Sequence, residues 1–282
     1  DADWFSHTER CAKRALPVAP ISTLDTRLLT AIMGSDVMVA LQEKTRKYDI
    51  LRMLIDEYVE TAEPVGSEAL CSRHRLSWSP ATVRNDFMAL EEEGYLAKPH
   101  TSGGRVPTNK AYGVIRDEVL GGTDEEFLGQ WDPFAHAHIP RPVHTQQADR
   151  YRRVSHMLAQ LTRHVVLCGE ANGEIAEAGL SLLVREPEFA RQELVANVAA
   201  FLEDFAGQTT RMITRISQHN MGVYIGEENA FPEIQSCSLL IASFTTVGRK
   251  EGFVALLGPT RMPYERNVAF VKHAADALGK RL

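Results

Sequence analysis

The chain has 282 residues, 44% of them hydrophobic, and no apolar run approaches the roughly twenty residues that a membrane-spanning helix needs. This length and composition predict a soluble protein with no membrane segment and enough residues for two hydrophobic cores. The net charge of -6 gives no general attraction for nucleic acids, so DNA binding would require a local basic patch.

The cysteines lie far apart in the sequence and form no CxxC or Cys/His pattern: Cys11, Cys71, Cys168 and Cys237. This spacing favours reduced thiols in a cytoplasmic protein over a disulfide framework or a zinc site. Two of the four have apolar neighbours, which favours small buried side chains.

Residues 1–40 show no sustained hydrophobic period, and we predict a disordered extension in front of the fold. The sequence starts at Asp1, and Met38 resembles a natural initiation point, so residues 1–37 are expected to be an upstream extension or an artefact. The alternative is a short helix over Thr26–Met33.

Two helices are predicted before residue 79. Apolar residues recur at helical spacing over Gln42–Thr61 with charged residues on the opposite side, and Pro64 ends this pattern. Gly66 and Ser67 can cap a second, short helix over Glu68–His74.

The stretch Ser79–Thr108 carries the most specific pattern in the chain. Ser79 followed by Pro80 predicts a helix start, because the hydroxyl can accept a free amide of the first turn and proline is tolerated at the first helical position. Gly94 predicts the end of this helix. The apolar residues on its buried face have a spacing of four and three: Val83, Phe87 and Leu90.

The loop after this helix contains no acidic residue from Lys98 to Pro107, with a glycine pair at its tip and basic residues on both arms. A helix with an outward arginine–asparagine edge, followed by a basic hairpin, is typical of a winged helix-turn-helix that binds DNA. We therefore predict that residues 41–120 form such a domain.

The candidate DNA-binding residues lie on the outward face of the helix and on the loop: Ser79, Ala81, Thr82, Arg84, Asn85, Lys98, His100, Thr101, Ser102, Gly103, Gly104 and Arg105. We expect Arg84 to pair with guanine and Asn85 with adenine in the major groove. Ser79 and Thr82 would hold phosphates at the positive end of the helix. The loop would lie along the backbone or in the minor groove, through His100, Thr101, Ser102 and Arg105. The alternatives are a salt bridge from Arg84 to Asp86 or to an acidic residue of the wing, and a capping role for Asn85.

Several motifs resemble those of the heat-inducible transcription repressor family HrcA. The first group is Glu63-Pro-Val-Gly-Ser67, Ser79-Pro-Ala-Thr-Val-Arg-Asn-Asp86, Leu90-Glu-Glu-Glu-Gly-Tyr-Leu96 and Pro99-His-Thr-Ser-Gly-Gly-Arg-Val-Pro-Thr108. The second group is Ile225-Gly-Glu-Glu-Asn229 and Gly258-Pro-Thr-Arg-Met-Pro-Tyr264. The two groups stand in the order that the family has.

The resemblance implies a bacterial repressor of heat-shock chaperone operons that binds an inverted-repeat operator as a homodimer. It also implies a C-terminal GAF-like domain, activity maintained by a GroEL-type chaperonin, and a cytoplasmic protein that is nucleoid-associated when bound to its operator. The expected fold class is α+β, a winged helix-turn-helix domain followed by a truncated GAF-like α/β domain.

The chain departs from the family pattern in its middle. Residues 121–150 are rich in glycine, proline and histidine without a clear period, and are predicted to be a linker. Residues 151–282 are predicted to be the GAF-like effector and dimerisation domain. By Ile175 the chain already resembles the region that follows the family's inserted dimerisation segment, so several central strands and part of the insertion are expected to be missing.

The remaining elements of the C-terminal domain are predicted from their hydrophobic patterns. They are a helix over Tyr151–Thr162, a strand over His164–Cys168, a helix over Glu188–Phe205, strands over Gly222–Gly226, Ser238–Phe244 and Gly252–Gly258 with a turn at Gly248, and a last helix opened by Met262 and Pro263. We expect a small mixed sheet covered by helices. The apolar faces of the 188–205 and 264–278 helices are candidates for a dimer contact, or are buried within their own domain.

No catalytic motif occurs in the sequence, neither GxSxG, GxxxxGK[ST], a GxGxxG after a strand, nor HExxH. Glu227 and Glu228 before Asn229 are better explained as an exposed turn than as a carboxylate site, and His136 with His138 lacks further metal ligands. We predict no enzyme activity and no cofactor. The alternative functions are a ligand-responsive winged-helix regulator of other genes and a degenerate DNA-binding or interaction protein.

Overall fold

The computed structural model of the chain describes residues 35–99, 103–122, 147–171, 173–216, 220–246 and 250–279. The chain divides into two compact units, residues 1–49 and 50–282. In the first unit, residues 35–49 belong to helix α1, which spans Ser35–Thr61. Residues 35–40 are therefore helical and not part of the predicted extension. The rest of that extension lies outside the described residues, as does the alternative helix over Thr26–Met33.

The winged helix-turn-helix follows in the second unit and confirms the predicted motif. Helix α2 spans Ser67–His74, α3 spans Pro80–Glu92, strand β1 spans Leu96–Ala97, β2 spans Val106–Pro107 and α4 spans Asn109–Gly121. The two strands pair antiparallel, with Leu96 opposite Pro107. An antiparallel bridge between Val65 and Arg105 ties the wing to the chain ahead of α2.

Helix α3 begins and ends where its sequence predicts. Ser79 is its N-cap, and its hydroxyl accepts the amide of Thr82 at 3.1 Å. Gly94 adopts a φ of +79°, a conformation that favours glycine, just after the last turn. The predicted apolar face is buried, since each of its three residues is at most 3% exposed: Val83, Phe87 and Leu90.

The C-terminal part of the second unit is a five-stranded sheet with helices on both faces. Its elements are α5 (Gln147–Thr162), β3 (Val165–Glu170), β4 (Ile175–Ala178), α6 (Leu180–Leu183), α7 (Gln192–Ile216), β5 (Met221–Ile225), β6 (Cys237–Thr245), β7 (Glu251–Pro259) and α8 (Tyr264–Gly279). The strand order is β4-β3-β7-β6-β5. With the winged helix in front of it, this α/β arrangement confirms the predicted fold class.

The sheet is antiparallel throughout, so the expectation of a mixed sheet was wrong. Each neighbouring pair is antiparallel, including the central β3 and β7, in which Val165 lies opposite Leu257. Short connections join β3 to β4 and β6 to β7, and such connections permit antiparallel pairing, whereas a parallel pair needs a long crossover.

Alternate residues of the central strands enter two hydrophobic cores. On one face, Val166 and Leu256 pack with α5 and α8, in a core that continues into the winged helix through residues such as Leu54 and Phe87. On the other face, Leu167 and the remaining strand residues pack against α7. The winged helix and the sheet therefore share one apolar core within the second unit.

One predicted helix needed correction, and one strand was missed. Helix α7 spans Gln192–Ile216 and not Glu188–Phe205, since a short 3-10 helix over Pro187–Ala190 precedes it and the helix continues past Phe205. Strand β4 was not predicted, because it is a short edge strand without a continuous buried run. The predicted turn at Gly248 lies outside the described residues.

The apolar faces proposed for a dimer contact are buried within their own domain. Val198, Phe201 and Phe205 of α7 are at most 3% exposed and lie in the core on one face of the sheet. Val268 and Leu278 of α8 are equally buried in the other core. The alternative given by the sequence is therefore correct for these residues, and neither face is available to a second copy.

The helices of the described part of the chain are too short or too polar to cross a membrane.

Candidate DNA-binding surface

The outward face of α3 is the most distinctive exposed surface of the winged helix. Four exposed side chains, three or four residues apart around the helix, share the side that points away from the core: Ala81, Arg84, Asn85 and Met88. Met88 is 50% exposed, the highest fraction among the large hydrophobic side chains of the described residues. This face therefore carries a guanidinium, an amide and an apolar side chain together.

The side chain of Arg84 is accessible although it has an acidic neighbour. Its guanidinium lies 3.7 Å from Glu68 of α2, and the two side chains are 62% and 82% exposed. An exposed pair of this kind contributes only about 0–1 kcal/mol, so the guanidinium can leave it for a stronger partner at little cost. The acid is Glu68 and not Asp86, which is buried.

Ser79 and Thr82 lie at the N-terminal end of α3, where the helix dipole favours an anion. The Ser79 hydroxyl accepts the Thr82 amide and lies 2.9 Å from the Thr82 hydroxyl. Ser79 is exposed and Thr82 half-buried. Both hydroxyls are close enough to the surface to contact a phosphate, but Ser79 is first of all the cap of the helix.

The wing contributes fewer candidate contacts than the sequence predicts. Lys98 and Gly103 are exposed, whereas Gly104 is buried. A Cβ atom added to Gly104 would lie 2.8 Å from the Pro64 carbonyl carbon, so only glycine fits there. His100, Thr101 and Ser102 lie outside the described residues.

Arg105 does not face outward, which corrects its predicted place on the DNA backbone. Its Nε donates to Glu91 Oε2 at 2.9 Å, its side chain is 13% exposed, and its backbone bonds to Val65 in both directions at 2.9 Å. The cation therefore fastens the wing to the end of α3. The acid-free loop gave no sign of this, because the carboxylate comes from the preceding helix.

Lys110 is likewise engaged within the domain. Its Nζ donates to the Glu93 carbonyl at 2.7 Å and lies 4.3 Å from the centroid of the Tyr95 ring. Among the described residues, the basic groups of the predicted patch that remain open to a ligand are thus Arg84 and Lys98.

The candidates chosen from the sequence leave out two exposed residues of the winged helix, Arg75 and Met88. Arg75 lies in the turn between α2 and α3, where its φ of +50° caps α2, and it is exposed. Met88 is exposed on the outward face of α3 and is not among the candidate residues chosen from the sequence. A search for cations in the turn before the reading helix, and for apolar residues on its outward face, would have found both.

The other sites considered from the sequence are accounted for by structural contacts. Glu228 accepts the Ile225 amide at 2.9 Å and binds Arg116 at 2.5 Å. The amide of Asn229 is buried and donates to the backbone, for example to the Cys237 carbonyl at 2.9 Å. No group of three or more His, Cys, Asp or Glu side chains is arranged to hold a metal within the described residues. His136 and His138 lie outside them.

The cysteines of the described residues are free thiols. Cys168 and Cys237 are buried, as predicted, and Cys71 is half-buried. Burial raises the pKa of Cys237 to about 12, and it raises the pKa of Cys168 well above its usual range. Both thiols are protonated at neutral pH and act as small apolar side chains.

Two family models match the chain, one for each of its parts. The model described as the winged helix-turn-helix transcription repressor, HrcA DNA-binding, matches residues 43–121. The model described as the HrcA protein C-terminal domain matches residues 135–268. Their order agrees with the structure, in which the winged helix precedes the sheet.

Similar proteins carry the same name, heat-inducible transcription repressor HrcA. The one from Streptomyces avermitilis is 55% identical over 76 residues, which cover 27% of this chain and 22% of that protein. The one from Carboxydothermus hydrogenoformans is 26% identical over 334 aligned positions, which cover 83% of this chain and 97% of that protein. Since 83% of 282 residues is about 234, roughly 100 of those positions have no counterpart in this chain. A missing insertion would produce such a difference, although that explanation stays a prediction.

A solved structure shares the fold. The crystal structure of a hypothetical protein at 2.2 Å resolution matches with a TM-score of 0.68 at 17% identity, covering 83% of this chain and 97% of that one. The relative from Thermobifida fusca is 58% identical over 74 residues, which cover 26% of this chain and 22% of that protein. Because a winged-helix model and a C-terminal model of one family match in sequence, and the fold agrees with both, the chain belongs to the HrcA family of heat-inducible transcription repressors.

Proposed function

We propose that this chain is a transcriptional repressor that binds double-stranded DNA through helix α3 and prevents transcription of heat-shock chaperone operons until stress occurs. The observation that carries the proposal is the exposed arginine–asparagine–methionine face of α3 on an intact winged helix. The regulation of chaperone operons, and activity maintained by a GroEL-type chaperonin, rest on membership of the family alone.

The N-terminal half of α3 is the part that enters the major groove. Arg84 and Asn85 lie in that half, whereas Glu91 and the exposed Glu92 lie at the other end, where phosphates would be repelled. Arg84 pairs with a guanine edge and Asn85 with an adenine edge. Each such bidentate contact contributes about 1–3 kcal/mol of discrimination between bases.

Met88 adds an apolar contact to this readout. It lies one turn beyond Arg84 on the same face and is half exposed. The thymine methyl group is the apolar feature of the major groove, and a methionine can adapt its flexible side chain to it. Met88 therefore selects a thymine next to the bases that Arg84 and Asn85 contact.

Phosphate contacts orient the helix on the duplex. Ser79 and Thr82 hold a phosphate at the N-terminal end of α3, and Lys98 and Arg75 contact the backbone on either side. The tip of the wing follows the adjacent backbone or minor groove, through His100, Thr101, Ser102 and the glycine pair. Arg105 has no part in this contact.

A single winged helix covers a short DNA segment, so operator-level affinity requires two copies on an inverted repeat. We therefore propose a homodimer, formed by a surface other than the buried faces of α7 and α8. Sedimentation of the chain with and without its selected DNA tests this step, and a monomer under both conditions would exclude it.

Selection of DNA fragments from a random pool by the full chain tests the function itself. We expect enrichment of one inverted repeat whose half-site contains a guanine, an adenine and a thymine within a few base pairs. A chain that enriches no sequence above the starting pool would contradict the proposal. If one half-site is enriched without its inverted copy, DNA reading stands and the homodimer fails.

A further inference from the structure

The second group of family motifs lies at the junction between the C-terminal domain and the winged helix. We propose that Arg261, in the loop 260–263 that joins β7 to α8, is a positioning residue that fixes the orientation of helix α3 on the C-terminal domain. It acts through the last turn of α1 and touches no DNA. The proposed function does not include this role.

Arg261 joins the two parts with nearly all of its hydrogen-bonding capacity. Its first terminal nitrogen donates to the Val59 carbonyl of α1 at 2.7 Å. Its Nε donates to Glu188 at 2.7 Å, and its second terminal nitrogen donates to Glu188 at 3.1 Å and to Glu186 at 3.0 Å. The side chain is 9% exposed. Two carboxylates of the C-terminal domain thus bind the guanidinium, and its other terminal nitrogen is hydrogen-bonded to the winged helix.

The acceptor on α1 is suited to a cation. Val59 lies in the last turn of the helix, where carbonyls lack an intrahelical partner. The amide of Glu63, four residues further on, donates instead to the Thr61 hydroxyl at 3.2 Å. The C-terminal end of a helix carries partial negative charge, so an arginine there is favourable both as a donor and as a charge.

The other motif loop, residues 226–229, contacts α4 of the winged helix. Glu228 binds Arg116 of α4 at 2.5 Å. Gly226 has a φ of +59°, a conformation that favours glycine, and its Cα lies close against the side-chain amide of Asn109, the first residue of α4. Both motif loops of the C-terminal domain are therefore in contact with the winged helix.

Tyr264 completes the junction at the start of α8. Its ring centroid lies 5.8 Å from that of Tyr112 in α4. Its hydroxyl donates to the Thr260 carbonyl at 2.7 Å and lies 2.6 Å from the Ser238 hydroxyl. Since α3 packs in the same core as α1 and α4, these contacts set the direction in which the outward face of α3 points.

Pulsed electron paramagnetic resonance distances within the full chain test the positioning role without DNA. Spin labels are placed at Ser72→Cys and Glu203→Cys, two exposed positions on either side of the junction. Cys11 and Cys71 are replaced by serine in this background. We expect one narrow distance distribution in the parent and a broader or two-peaked distribution in Arg261→Gln.

The control and a second variant separate positioning from folding. Arg163→Gln is the matched control, because Arg163 binds the other oxygen of the same Glu186 at 3.5 Å but is 60% exposed. The triple variant Arg261→Gln, Glu186→Gln, Glu188→Gln removes the carboxylate repulsion that the single change leaves behind. A distribution already broad in the parent, or one that stays narrow in the triple variant, would overturn the proposal.

A DNA measurement gives a readout that a purely structural role would not change. It rests on the proposed function and uses the selected inverted repeat with its spacer lengthened by two base pairs. In the parent, the longer spacer should lower the affinity for DNA. We expect this loss of affinity to be about fivefold smaller in the triple variant, because a winged helix with a less fixed orientation can fit both spacings. An unchanged loss of affinity would contradict the positioning role. A chain that selects no DNA contradicts the proposed function, whereas the distance comparison still decides the role of Arg261.

Discussion

The guanidinium of Arg105 binds the carboxylate of Glu91, with 2.9 Å between Nε and Oε2 and 2.8 Å between a terminal nitrogen and the same oxygen. The pair joins the base of the wing to the last turns of the DNA-reading helix. Arg105, which the sequence predicts to contact DNA, is thus engaged in an ion pair within the domain. The wing keeps its position beside α3 because of it.

Arg105→Gln should lower the free energy of unfolding by about 1–2 kcal/mol, because the change leaves the half-buried Glu91 carboxylate without its charged partner. Urea denaturation measures this loss. The slope of log affinity against log salt for the selected DNA should stay unchanged. A shallower slope would instead place Arg105 on a phosphate.

Lys98→Gln is the matched change on the same wing. Lys98 is exposed, so we expect the free energy of unfolding to change by less than about 0.5 kcal/mol. The salt slope should become shallower by about one, since one phosphate contact is lost equally on all sequences. An unaltered slope would remove Lys98 from the DNA contacts.

Arg84→Ala should reduce the preference for selected over scrambled DNA by about 1–3 kcal/mol, because a bidentate contact to guanine is lost. Electrophoretic mobility shift with both DNAs measures it. The control is Arg152→Ala, another exposed arginine in a weak pair, which lies on α5, with Asp149 at 3.5 Å. Equal preference in Arg84→Ala and in the parent would exclude base reading by Arg84.

Met88→Ala should weaken binding to the selected DNA about fourfold, since a contact of roughly one methyl group, worth about 0.8 kcal/mol, is lost. Replacing one thymine of the half-site by deoxyuridine should lower the DNA affinity of the parent to the same extent. The same replacement should leave the DNA affinity of Met88→Ala unchanged. Val184→Ala, at another exposed apolar residue in the C-terminal domain, is the control. Independent effects of the base and the side chain would contradict the contact.

His164 should make the fold acid-sensitive. It is 5% exposed, neither ring nitrogen has a hydrogen-bond partner among the described residues, and burial lowers its pKa to about 3. Between the unfolded pKa of about 6.5 and the folded value, the unfolded chain binds a proton that the folded chain refuses, so stability falls as the pH falls through this window.

The measurement compares urea unfolding at pH 7 and pH 5. Between pH 7 and pH 5, the free energy of unfolding should fall by about 2 kcal/mol more in the parent than in His164→Phe. Above pH 7, the free energy of unfolding of the two proteins should change with pH in the same way. His156→Gln, at an exposed histidine of α5, should behave as the parent does. The same acid loss in His164→Phe would assign the sensitivity to other groups.

Local signals in the sequence predicted the ends and the buried face of helix α3. Ser79, Pro80 and Gly94 mark the ends of α3 by backbone chemistry that operates within a few residues, and the apolar spacing identifies its buried face. For the same reason, the exposure of Arg84 and Asn85 could be predicted without knowledge of the rest of the fold.

Features that depend on distant partners could not be predicted in this way. The carboxylate that neutralises Arg105 comes from another element, and the burial of the α7 and α8 faces depends on a sheet that forms between them. The direction of the strands depends on connection lengths, which the hydrophobic pattern does not specify. The edge strand β4 has too few buried residues to leave a signal.

The apolar core that runs from α1 through α4 to α8 has a practical consequence for anyone who wishes to isolate the reader. Cutting the chain after α4 would leave Tyr112, now covered by Tyr264, facing water together with the rest of its apolar surroundings. Such a fragment would be expected to aggregate or melt early. The winged helix and the C-terminal domain are therefore expected to unfold together as one cooperative unit.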